Sequence, residues 1–264
     1  MSWITGLLAA FDLETTGTDV ETDRIVTAAV VRLEPDGAVS AERTWLLDPG
    51  VAIPEQASAI HGISTDHARE HGVPPSSAVE DITRTLTEVL RSGTPVVVMN
   101  ARYDLSLLDR ECRRYGLASV TERLGGVPSP VIDPLVLDKH VDKYRKGKRA
   151  LHALCAHYGV SLDDAHDARA DAVAAARVVR RMGEKYQSLG TMSSTALHEL
   201  QARAAAGQAA SLQAYLRRTA DPAAVVEPAW PVVPRSGPAE ASREREPGGP
   251  VAAPLSRTAP GRRP

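Results

Sequence analysis

The chain has 264 residues, 43% of them hydrophobic, enough to bury a sizeable core in one or two domains. Its formal net charge is −2, which excludes a global positive field for nucleic acid; any phosphate contact has to come from a local patch. The two cysteines, Cys112 and Cys155, form no Cys-x-x-Cys pair and read as packing residues of a protein in a reducing, cytoplasmic compartment.

The N-terminal stretch from Met1 to Phe11 is apolar, carries no positive residue and runs straight into Asp12 and Glu14. A buried strand is expected there rather than a signal peptide. No uncharged apolar run reaches the ~18 residues of a membrane span. Strands are expected over Ile4 to Leu13, Arg24 to Leu33 and Ala41 to Leu47, with a hairpin-type turn at Glu34-Pro35-Asp36-Gly37. Ser76 to Arg91 has apolar residues at Val79, Ile82, Leu86, Val89 and Leu90, the spacing of one helical face, and Gly93 follows as a stop.

Pro95 to Met99 is a buried strand, Asp104 to Tyr115 an amphipathic helix, and Val131-Ile132 a short strand bounded by Pro130 and Pro134. Ala150 to Tyr158 and Asp167 to Tyr186 are helical. Three early strands followed by alternating helices and strands predict an α/β domain with a mixed sheet flanked by helices. Residues 1–190 are taken as this domain and 191–220 as an accessory C-terminal helix. Ten of the 19 prolines fall from Pro222 onward, so 221–264 is expected to be a disordered Pro/Arg/Gly-rich tail. Its one apolar island, Ala229-Trp230-Pro231-Val232-Val233, reads either as a docking motif or as a segment folding back on the domain.

The chemistry lies in the acids. On a strand, residues i and i+2 share a face, so Asp12 and Glu14 project together while Leu13 enters the core. Two carboxylates on one face repel unless a cation lies between them, and hard oxygen ligands suit Mg²⁺ or Mn²⁺. Asp19-Val20-Glu21 repeats the spacing but follows no apolar strand and reads as a solvated loop. Asn100-Ala101-Arg102-Tyr103-Asp104 follows a strand and opens a helix, which sets Asp104 beside a parallel neighbour; the plainer reading is an acid favoured by the helix dipole. In His166-Asp167-Ala168-Arg169-Ala170-Asp171, five residues of helix would turn His166 about 140° from Asp171. The two converge only if His166 is on the entering loop, Asp167 caps the helix and Asp171 is in its first turns. A neutral imidazole there can accept a proton near pH 7. His61 to Asp66 has the same spacing, so that signal is weak alone.

Together, Phe11-Asp12-Leu13-Glu14-Thr15-Thr16-Gly17, Asn100 to Asp104 and His166 to Asp171 resemble the motifs of the DEDDh 3′–5′ exonucleases. That family includes the epsilon proofreading subunit of bacterial DNA polymerase III, ribonuclease T and oligoribonuclease. Ile60-His61-Gly62-Ile63, Ile132-Asp133-Pro134-Leu135 and Gly147 to Leu151 also look like family segments, and the resemblance covers roughly residues 4 to 188. Tyr103 stands where a Phe is frequent. A Tyr four residues before the last Asp would mark the sister subclass, and position 167 is Asp.

The resemblance implies a ribonuclease-H-like fold with a mixed five-stranded sheet and two-metal phosphodiester hydrolysis. It implies Asp12 as the bridging ligand, Glu14 and Asp171 on the metal carrying the attacking water, Asp104 on the second metal, and His166 as general base. Thr15, Thr16, His61, Asn100, Tyr103 and Gln56 would grip the terminal nucleotide. Lys143 to Arg149 carries five positive charges in seven residues and reads either as a phosphate contact or as a solvated loop. The implied partners are 3′ ends of single-stranded DNA or RNA and a DNA polymerase subunit reached through the tail. RNA 3′-end trimming, a non-catalytic nucleic-acid-binding scaffold and a nucleotide phosphohydrolase are the competing readings.

Overall fold

The alternation of β1 (Leu8–Thr15) decides both faces of the sheet. Leu8 and Ala10 enter one apolar cluster, while Ala9, Phe11 and Leu13 enter the other, as a period of two requires. In the computed structural model, which describes residues 3–162 and 165–235, β1 pairs antiparallel with β2 (Ile25–Leu33), and β2 with β3 (Val39–Leu46). Two short strands, β4 (Val96–Val97) and β5 (Val131–Ile132), continue the sheet parallel to β1. The order is β3-β2-β1-β4-β5, the expected mixed five-stranded sheet.

Ten helices are described: α1 (Glu55–His61), α2 (Thr65–His71), α3 (Pro75–Arg91), α4 (Ala101–Arg114), α5 (Val120–Leu124), α6 (Pro134–Val141), α7 (Leu151–Tyr158), α8 (Ala168–Lys185), α9 (Gln187–Gly190) and α10 (Ser194–Thr219). The small residues of α8 let it lie close against β1 and β2, where Ala172, Ala175, Ala176 and Val179 are buried. On the other face α3 and α4 bury Val79, Ile82, Leu86, Leu105 and Leu108. Cys155 packs in the first cluster and Cys112 in the second, both as free thiols. Among the described residues no helix is long and apolar enough to cross a membrane.

Several details differ from the expectations. The first strand begins at Leu8, not Ile4; Trp3–Thr5 is a 3₁₀ turn whose buried indole donates to the Leu189 carbonyl at 3.1 Å. Helices α2, α5 and α6 were not expected. They are five to eight residues long, too short for visible periodicity, and are set by the caps Ser64, Ser119 and Asp133.

The folded unit runs to Val233. Helix α10 packs on β5 and α6. Its buried His198 accepts from the Val131 amide at 3.2 Å, and Gln201 accepts from the Asp133 amide at 2.6 Å while donating to the Val131 carbonyl at 3.1 Å. The expectation of disorder from residue 221 is corrected over this stretch. Trp230 is 8% exposed, packs against His198 and joins the second cluster. The Val233 amide donates to Ser106 Oγ at 2.8 Å. The apolar island therefore folds back, because one indole and four apolar neighbours give it surface to bury. The rest of the expected tail, 236–264, lies outside the described residues.

Candidate active site

Strand β1 turns Asp12 and Glu14 to the face covered by α8, whose first turn carries Asp171. His166 lies on the loop entering α8 with φ 70°, a left-handed conformation uncommon outside Gly and enriched in Asn, Asp and His. Asp167 caps the helix by accepting from the Ala170 amide at 2.9 Å. The His166 amide points at Asp171 Oδ2 at 3.4 Å. Ligand atoms of Glu14, His166 and Asp171 lie within 4.8 Å of one another. From the second motif, Asp104 is buried at the start of α4 and Asp104 Oδ1 accepts from the Leu13 amide at 3.1 Å. One bond thus ties α4 to the residue between the two β1 acids.

The electrostatics follow from crowding. Asp12 is raised well above the ordinary aspartate range by burial, then by repulsion from Asp104, Asp171 and Glu14. Burial pushes Glu14 up to about 8, with Asp171 and Asp167 adding to it. Asp104 and Asp171 are raised by burial as well, against the hydrogen bonds they accept. Asp171 Oδ1 is buried without a partner. Repelling carboxylates plus an orphaned oxygen are the state that bound cations relieve, and an oxygen-rich donor set fits hard divalent ions.

Around this centre the expected contacts divide. Asn100 adopts the left-handed conformation, φ 58°, that starts α4. The amides of Asn100 and Ala101 donate to the two oxygens of Asp133 at 3.1 and 3.0 Å, and Asp133 also accepts from Trp230 Nε1 at 3.3 Å. This positioning role of Asp133 escaped the sequence reading; its signal was an Asp directly before a helix-starting Pro. The Tyr103 hydroxyl, which a Phe would lack, lies 2.7 Å from Thr15 Oγ1 and donates to the Gly17 carbonyl. It fastens the loop after β1 onto α4. A Cβ on Gly17 would stand 2.6 Å from the Asp23 carboxylate, so a larger residue there would have to displace the side chain that holds Thr16.

His61 reaches the site. Its Nδ1 accepts from the Ile63 amide at 3.2 Å, and its buried Nε2 has no hydrogen-bond partner of normal geometry. Burial lowers its pKa; the Thr15 backbone opposes this and His166 adds to it. Two expected contacts fare differently. The Thr16 hydroxyl is committed within its own loop, donating to Asp23 Oδ1 at 2.7 Å and accepting from the Arg24 amide at 3.0 Å. Gln56 is exposed on α1, and five residues of helix turn it about 140° away from His61. The basic loop is split too: Arg145 and Arg149 both pair with the buried Asp138, to which the Tyr158 hydroxyl donates at 2.8 Å. Burial raises the Asp138 pKa, but the Arg145 and Tyr158 bonds and the Arg149 charge outweigh it and hold the carboxyl below the usual range.

The comparisons with known proteins agree with this geometry. A family model described as Exonuclease matches residues 9–179. DNA polymerase III of the PolC type from Lacticaseibacillus paracasei is 30% identical over 199 residues, 75% of this chain and 13% of the relative. The PolC-type enzyme of Caldanaerobacter subterraneus subsp. tengcongensis is 27% identical over 188 residues, 71% and 12%. This chain therefore spans about an eighth of the length of these relatives.

Among solved structures, a moderately thermophilic exonuclease I from Methylocaldum szegediense superposes with a TM-score of 0.56 at 24% identity, over 70% of this chain and 42% of that one. E. coli exonuclease I, solved as a zinc-bound complex with single-stranded DNA, gives 0.57 at 19% identity over the same shares. The family match spans well over half of the sequence and contains every acid of the cleft, and the chain belongs to the exonuclease family.

Proposed function

We propose that the chain removes nucleotides from the 3′ end of single-stranded DNA, using Asp12, Glu14, Asp104 and Asp171 to hold two divalent cations, Mg²⁺ or Mn²⁺. The observation that carries this reading is the group of mutually repelling carboxylates around the unpartnered Asp171 Oδ1, with His166 beside them. Asp12 lies among the other three acids and would be shared between the ions, with Glu14 and Asp171 on one side and Asp104 on the other. Such cations lower the pKa of bound water and neutralise charge on the attacking and leaving oxygens.

His166, exposed at the mouth of the site, takes the proton from the attacking water. Tyr103, held against Thr15 and Gly17, offers a ring face to the terminal sugar or base. His61, beside the Thr15 backbone and His166, would add a further contact, with Asn100 at the head of α4. Thr16 shapes the loop and Gln56 is left outside the contact set.

The PolC-type relatives favour DNA and a role beside a polymerase. A polymerase partner reached through the segment after Val233, and a cytoplasmic setting, belong to the same proposal. The test is degradation of 3′- and 5′-labelled single-stranded DNA and RNA with Mg²⁺ or Mn²⁺, wild type against Asp12→Ala. Stepwise loss from the 3′ end, abolished by EDTA and by the substitution, is expected, faster on DNA. Faster loss of RNA would shift the reading to RNA trimming, and no metal-dependent cleavage would sink it.

A further inference from the structure

Next to the acid cleft lies a groove of about 720 Å³. Asn100 and Arg102 at the head of α4 form its near end, α6 lines one side, and the middle of α10 with the segment around Trp230 forms the other. Helix α10 and that segment lie beyond the residues that match the family, 9–179, so the wall they build is not part of the shared domain.

The groove carries cations that no described acid neutralises. Arg102, Lys139 and Lys143 line it, and both lysines are exposed. No ion pair involves these three among the described residues. Their neighbours in the basic loop, Arg145 and Arg149, are the ones anchored on Asp138. The acid in the lining, Asp133, is 1% exposed and its oxygens are taken up by backbone amides and the Trp230 indole. On a chain of net charge −2, three cations with no ion pair among the described residues, gathered along one groove beside the head of α4, call for an extended anion. Apolar lining such as Leu212 and Val136 suits sugar and base faces.

We propose that this groove holds the phosphodiester backbone of the single strand upstream of its terminal nucleotide. The inference rests on the exonuclease reading above and gives α10 a part in substrate binding.

The test uses the full chain carrying Lys139→Glu and Lys143→Glu together. Binding of dye-labelled oligothymidylate and oligoriboadenylate is followed by anisotropy in EDTA, where no turnover occurs. Affinity should fall about tenfold or more, and the slope of log K against log salt should flatten by about 1.4, two contacts at about 0.7 each. Hydrolysis of the p-nitrophenyl ester of thymidine monophosphate with Mn²⁺, a substrate with no upstream strand, should be unchanged. Unaltered affinity and salt slope for both oligonucleotides would overturn the proposal. So would equal losses on the oligonucleotides and the ester, which would place the effect in the cleft. A wild type that binds strands through the two lysines but hydrolyses nothing would support the groove and refute the exonuclease reading.

Discussion

Glu14→Gln should make the metal-free protein more stable at pH 8 while destroying its activity. The Glu14 carboxyl stands at about 8 in the folded chain, against about 4.3 in an unfolded one. A carboxyl whose pKa is raised by folding contributes its full stability only below the unfolded value. That stability is lost as pH rises from about 4.3 to about 8, and nothing further is lost above. A gap of roughly 3.7 pH units at 1.36 kcal/mol each would be about 5 kcal/mol for a fully shielded group. Glu14 is partly open to solvent, and screening reduces this to about 1–3 kcal/mol. For a domain of this size that corresponds to a Tm rise of about 2–10 °C. The assay is thermal unfolding in EDTA between pH 4 and pH 9. The variant and the wild type should converge near pH 4 and separate towards pH 8. Added Mg²⁺ should raise the wild-type Tm at pH 8 and leave the variant nearly unmoved. A metal-free Glu14→Gln protein no more stable than wild type at pH 8 would refute the electrostatic account of the cleft.

Other perturbations probe separate parts of the site. His166→Ala should lower the rate at neutral pH by about 10²–10⁴-fold with little change in Tm, since the side chain is exposed; a rate within threefold of wild type would remove His166 as the base. Asn100→Ala should cost about 1–2 kcal/mol in urea unfolding because of the left-handed backbone, and Asn100→Gly clearly less; equal losses would point to the side chain instead. Trp230→Ala should cost about 3–5 kcal/mol, read from the denaturant midpoint, whereas an unshifted midpoint would mean that the segment merely rests on the surface.

Much of this arrangement is legible in the residues themselves. The alternation through Phe11, Asp12, Leu13 and Glu14 fixes which side chains reach the cleft, because the strand period leaves no other choice. The angular argument for His166 and Asp171 holds: His166 precedes the helix, Asp167 caps it and Asp171 follows in the first turn. What was not legible depends on partners distant in sequence. Nothing local says that Arg145 and Arg149 face a buried Asp138 rather than solvent or phosphate. Thr16 looks like a free hydroxyl until Asp23 and Arg24 fold over it. Trp230 sits in a Pro-rich stretch whose composition argues for disorder, and composition cannot register one indole meeting His198 and Asp133. Helix α6 was hidden by Pro134, which ends a strand and starts a helix at once.

The outer side of β5 has a consequence for dissecting the chain. The strand is two residues long and stands at the border of the sheet, and the position where a sixth strand would pair is filled by side chains of α10. His198 and Gln201 act there as a cap on an otherwise adhesive border. A fragment ended at residue 190, just past the shared exonuclease region, would bare the Val131 amide and carbonyl together with the Asp133 amide. Such a fragment would keep every acid of the cleft and still tend to self-associate through that uncapped strand.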